Sequence, residues 1–159
     1  MFAKLSPDVT DIVAVAAACV TAGADGLSLI NVLLGMVIDP VRVRPALAGT
    51  YGGLSGPAIR PVAVRCVWQV AEAFPDVPII GTGGVRTGRD ALELLLAGAS
   101  LVGVGSAIVH DPSACSRVAR ELEEELAAIG ADRVADVIGR AHGPHGRVLG
   151  GLVNGPRRA

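Results

Sequence analysis

Two glycine-rich segments carry most of the potential chemistry in this sequence. One is Ile80-Gly81-Thr82-Gly83-Gly84-Val85, the other Gly103-Val104-Gly105-Ser106-Ala107. Without side chains, successive residues let the backbone approach an anion closely and point several amides at it. Thr87 follows the first segment as a helix start, and a helix N-terminus also favours phosphate. Ser106 adds a hydroxyl to the second. Tight turns would explain one such segment. Two of them, at the ends of neighbouring strands, point to the phosphate grip that barrel enzymes build after their last strands.

Other polar residues fall at the ends of predicted strands. Lys4 ends the first strand, where an ammonium facing a barrel mouth calls for an anionic partner; a surface lysine is the plain alternative. Asn31 follows the second strand and offers both a donor and an acceptor to a planar amide or imide, although asparagine is also a common turn residue. Ser55 and Gly56 precede a helix, either to close over a ring or phosphate or simply to cap it. Cys19, Cys66 and Cys115 fall within helices, on apolar or packed faces, and read as inert packing. His110 precedes the Asp111-Pro112 helix start, and His142 and His145 lie near the end. Neither a Ser-His-Asp set nor a metal-ligand cluster is apparent.

The elements that must position these residues alternate short apolar runs with longer helical periods, the pattern of βαβ units. Strands are predicted at 2–5, 26–30, 77–80 and 100–104. Helices are predicted at about 9–22, at 57 or 61 to 74, from Thr87 to Gly98, and from Asp111-Pro112 to Gly130. Thr87 with Asp90 forms a capping-box pair. In the last helix Ala114, Val118, Leu122, Leu126 and Ile129 make one apolar stripe. A short helical piece is expected at about 132–138. Residues 31–56 read as a long irregular stretch, and long loops in compact domains tend to be functional. The segment at 21–30 is echoed at 96–105, two βα units later. The expected fold is therefore α/β, half of a (β/α)₈ barrel with about four parallel strands, since a whole barrel needs ~250 residues and the chain has 159.

Composition agrees. Hydrophobic residues make up 51% and charged residues 18%, which excludes a disordered chain. The net charge of −1 supplies no global field for nucleic acid or an anionic membrane. Charge is uneven, however: Arg140, Arg147, Arg157 and Arg158 stand in the last 20 residues without an acid. Residues 1–139 are thus expected to form the half-barrel and 140–159 a disordered basic tail. No apolar run is long enough for a membrane span. Three scattered cysteines and an untargeted start suggest the cytosol.

Three longer segments resemble a known family: 24–31 (Ala-Asp-Gly-Leu-Ser-Leu-Ile-Asn), 35–39 (Gly-Met-Val-Ile-Asp) and 52–61 (Gly-Gly-Leu-Ser-Gly-Pro-Ala-Ile-Arg-Pro). They are similar to class 1 dihydroorotate dehydrogenases, most of all the NAD-linked type 1B catalytic subunit. The match runs from about Ala3 to Gly139. The resemblance implies an FMN enzyme that oxidises dihydroorotate to orotate in pyrimidine synthesis. By it, Lys4 lies near the flavin's pyrimidine edge and Ile30 touches the flavin. Asn31 and Val32 recognise substrate. Gly56, Gly83, Gly84, Gly105 and Ser106 run along FMN to its phosphate, with serine at 106 where the family usually has threonine. It further implies a partner subunit with FAD and an iron–sulfur cluster. The family's base is a loop cysteine upstream of the strand bearing Lys4, hence before Met1. No catalytic residue is therefore assigned in this chain, and little turnover is expected from it alone. Alternatives are a non-catalytic FMN- or phosphate-binding half-barrel that pairs with itself or a complementary half, and another flavin barrel enzyme such as a dihydropyrimidine dehydrogenase relative.

Overall fold

A computed structural model describes residues 1–143. The chain runs β1 (Phe2–Leu5), α1 (Ile12–Thr21), β2 (Gly26–Leu29) and then four short strands. These are β3 (Leu33–Gly35), β4 (Ile38–Asp39), β5 (Arg44–Pro45) and β6 (Gly52–Leu54). A 3-10 turn at Pro57–Ile59 leads into α2 (Arg60–Ala73), β7 (Ile79–Thr82), α3 (Gly88–Leu96), β8 (Leu101–Gly103), α4 (Ala107–His110) and α5 (Ala114–Ala128).

Four of the strands form a wholly parallel sheet in the order β1-β2-β7-β8. This is the expected α/β arrangement, four βα units of a (β/α)₈ barrel. Register explains its two faces. Leu5, Leu29, Gly81 and Val102 share one row, and Leu5, Leu29 and Gly81 are buried under the helices. The next row, Lys4, Ser28, Ile80 and Leu101, points to the opposite face and is half-exposed or exposed. Side chains alternate across a strand, so Leu27 and Ile79 join the covered face and are fully buried. Ala63, Cys66, Val67 and Val70 of α2 pack there as well. Leu92, Leu95, Leu126, Ala131 and Val137 form a smaller core between α3, α5 and the chain that follows.

The structure revises several expectations. α1 starts at Ile12, capped by Asp11, whose carboxylate accepts from the Val13 and Ala14 amides. Asp8 is committed elsewhere: its carboxylate accepts from the Leu34 amide at 3.0 Å and ties the β1–α1 loop to β3. β7 lies two residues later than predicted. The Val77 amide closes a turn onto the Phe74 carbonyl and Pro78 has no amide, so the strand begins beyond them.

The stretch 31–56 is not irregular but a nested pair of antiparallel ribbons, β3 with β6 and β4 with β5. Ile129 ends the α5 stripe 41% exposed, and Cys115 is exposed rather than packed. Arg140–His142 form a 3-10 turn. His142, assigned to the tail, stacks on Trp68 with ring centroids 3.7 Å apart, and its Nε2 lies 2.9 Å from the Ala97 carbonyl. Residues 144–159, and with them His145 and most of the expected tail, lie outside the described residues. Among the described residues no helix is long and apolar enough to cross a membrane.

Candidate functional site

Parallel strands deliver their loops to one end of the sheet, and these loops enclose a cavity of about 230 Å³. Lys4 comes from β1, and Ile30, Asn31 and Val32 from the end of β2. Thr82, Gly83, Gly84 and Val85 follow from β7, and Gly105 and Ser106 from beyond β8. Ser55, Gly56 and Ile59 close it from the segment ahead of α2. The nine residues to which the resemblance gives a flavin or substrate role all line this one space, and Ser55 lines it with them. Thr82, Val85 and Ile59 line it too and were not singled out individually. Thr82 and Val85 belong to the glycine segment, which offered a signal; Ile59 reads only as a core position.

Backbone bonds fix the relative heights of these loops. The Ile30 amide donates to the Thr82 carbonyl and the Asn31 amide to the Leu5 carbonyl, both at 2.9 Å. Ile30 is buried and makes a solid wall. Asn31 is exposed, and its side-chain oxygen accepts from the Val32 amide. Lys4 is exposed at the mouth and makes no ion pair among the described residues.

The glycines differ in why they are glycine. At Gly84, φ is +75°, and a Cβ would meet Arg60 Cβ at 2.7 Å and the Gly56 carbonyl oxygen at 2.9 Å. At Gly83, φ is +140° and Ala63 Cβ would lie 2.7 Å away. Packing behind the loop therefore demands glycine at both positions. Around Gly105 nothing lies within 4 Å of an added Cβ, so open space borders its backbone.

Occupancy of the amides separates two zones. Among the described residues no side chain accepts from the amides of Gly83, Gly84, Gly105 or Ser106. From two residues beyond Gly84 the amides are taken: Asp90 Oδ2 accepts from Arg86 and Thr87 at 2.9 and 3.0 Å, and Glu121 Oε2 from Gly88 at 2.8 Å. The capping box of Thr87 and Asp90 is present. Carboxylates thus already accept from two amides at the start of α3, those of Thr87 and Gly88. The uncovered amides belong to the strand ends themselves. Arg60 braces this corner, its guanidinium 2.6 Å from Asp90 and 2.9 Å from Glu93.

Beyond Ser55, Gly56 and Ser106 the cavity abuts a second one, of about 500 Å³, lined also by Arg86, His110, Asp111 and Arg117. Arg117 binds Asp111 at 3.0 Å and Glu121 at 2.7 Å. The Ser113 hydroxyl and then Arg117 hold the Asp111 carboxyl below its ordinary range, and Arg117 does the same for Glu121. Cys66 is buried in the core, where desolvation pushes its thiol pKa up. None of the three cysteines lines the cavity, which agrees with the packing role read for Cys66 but leaves exposed Cys115 without one. Among the described residues there is no group of three metal-ligating side chains.

A parallel sheet whose strand-end loops converge on one cavity defines the ligand-facing end of a (β/α)₈-type protein. Comparison with known proteins narrows this. The family model "Dihydroorotate dehydrogenase" matches residues 1–126. The dihydroorotate dehydrogenase B (NAD(+)) catalytic subunit of Geobacter sp. (strain M21) is 58% identical over 139 residues, 87% of this chain and 45% of that protein. That of Desulforudis audaxviator is 54% identical over 142 residues, 89% and 46%. The solved structure of an Eimeria tenella DHODH in complex with ferulenol superposes with a TM-score of 0.75 at 33% identity, covering 90% of this chain and 38% of that one. The chain belongs to the dihydroorotate dehydrogenase family. It spans about half the length of the curated relatives it matches.

Proposed function

We propose that this chain carries the flavin-phosphate and substrate-ring part of an FMN-dependent dihydroorotate dehydrogenase, which oxidises dihydroorotate to orotate in pyrimidine synthesis. One observation carries the reading. Residues from five separate segments, picked out individually in the sequence, meet in a single cavity. The cavity runs across all four strands in order. Three strand spacings make about 14 Å, long enough for a ring at one end and a phosphate at the other.

The chemistry of the lining fits FMN. Four amides lack side-chain acceptors at the β7 and β8 end, and an ammonium lacks an ion pair at the β1 end. When bound, FMN supplies the acceptor for the substrate's hydride. In this reading Gly83, Gly84, Gly105 and Ser106 hold the phosphate. Gly56 and Ile30 pack along the ligand. Lys4 offers positive charge to the ring's pyrimidine edge, where charge on a reduced ring is otherwise costly to bury. Asn31, with Val32, presents an amide able to pair with substrate. Among the described residues lining the cavity there is no cysteine, the residue type that the family resemblance implies as general base.

The relatives are catalytic subunits, which supports a partner subunit that takes the electrons, with FAD and an iron–sulfur cluster for the NAD-linked type. Three free thiols fit a reducing cytoplasm. A second reading, pairing with itself or a complementary half, draws on β1 and β8, which each pair on one side only among the described residues. The test is to join this chain to the first half of the Geobacter subunit and supply dihydroorotate with a dye acceptor. The purified chimera is expected to be yellow and to reduce the dye. A folded but colourless and inactive chimera would overturn the reading.

A further inference from the structure

We propose that Arg117, on α5 and outside the cavity lining, is a positioning residue that locks the two phosphate loops into one register. The inference rests on the flavin-phosphate reading above. One guanidinium reaches both loops. Its Nη1 donates to the Arg86 carbonyl at 3.0 Å, two residues beyond Gly84. Its Nε donates to Asp111 Oδ2 at 3.0 Å, just past α4 and five residues beyond Ser106. Nη1 also donates to Glu121 Oε1 at 2.7 Å, and the other oxygen of Glu121 accepts from the Gly88 amide. The segments after Gly83-Gly84 and after Gly105-Ser106 are thus pinned to the same point on α5.

Gly88 makes this possible. A Cβ there would sit 2.3 Å from the Glu121 carbonyl carbon and the Leu122 amide nitrogen. Only glycine lets the first turn of α3 lie against the α5 backbone. Arg117 and Glu121 are each about a third exposed, so neither is forced into place by core packing. Their bonds hold them. A planar guanidinium with donors in several fixed directions suits this position, whereas a lysine ammonium is a single point of charge on a flexible stem. Four amides must converge on one phosphate, and a small misplacement of either loop removes half of them.

Binding of FMN and riboflavin to the full chain, followed by flavin fluorescence, tests the idea because the two ligands differ only in the phosphate. Wild type is expected to prefer FMN. Arg117→Ala should lower FMN affinity about tenfold, the lower end of what losing an outer-shell partner costs a metal site, and leave riboflavin unchanged. Arg117→Lys should recover only part of the preference, and Glu121→Gln should erode it more mildly. Equal weakening of both ligands by Arg117→Ala, or no change in either, overturns the proposal. Should circular dichroism show Arg117→Ala unfolded, Glu121→Gln decides, and an unaltered preference there overturns it too. Wild type without any preference for FMN is a separate result: it sinks the phosphate reading and this inference with it.

Discussion

The loops at the end of the parallel sheet and the ribbon excursion at 31–56 are built on opposite principles, though both feed one cavity. The sheet-end loops after β7 and β8 are short, and the one after β7 has the amides at its exit capped by Asp90 and Glu121. The excursion has four strands of two or three residues. It exposes Leu34, Val37, Ile38, Val41, Val43 and Tyr51, with Val41 at 88%. Its roots, Asn31 with Val32 and Ser55 with Gly56, reach the cavity while its far end stands clear. Hydrogen-bonded anchoring marks the sheet end, and exposed apolar side chains mark the ribbons.

Mutations should separate the two regions sharply. The largest effect is expected beneath the sheet ends: Leu27→Ala empties a fully buried site and should cost about 2–5 kcal/mol, read as a drop in the denaturant midpoint. Gly84→Ala acts at the loop itself. It forces a left-handed backbone on a residue with a Cβ, at a cost of about 1–3 kcal/mol, and the clash with Arg60 should displace the loop. FMN affinity should fall by more than the stability loss explains, as measured by titration under conditions where the variant stays folded. The smallest effect is expected at the ribbon tip. Val41→Ser should change stability by no more than about 0.5 kcal/mol and leave FMN binding alone. A loss there as large as at Leu27 would mean that the excursion is part of the core and would erase the distinction.

The class of fold and most of the residues lining the cavity could be read from the chain alone, part of them through the family resemblance. Strand and helix periods, the Thr87–Asp90 cap and the two glycine segments are local signals, because hydrogen bonds within a turn and alternation along a strand involve near neighbours. The remainder depended on contacts between residues far apart in the chain. The ribbons were illegible because their strands are only two or three residues long and hold no fully buried residue, so no apolar alternation marks them. Cys115 and Ile129 fit a helical stripe yet face solvent, since what covers a helix face is set by distant chain. The acceptor of the Gly88 amide is Glu121, 33 residues on, a partner that no local pattern indicates. Arg117 gave no hint at all: its meaning lies in one side chain touching two loops that only folding brings together.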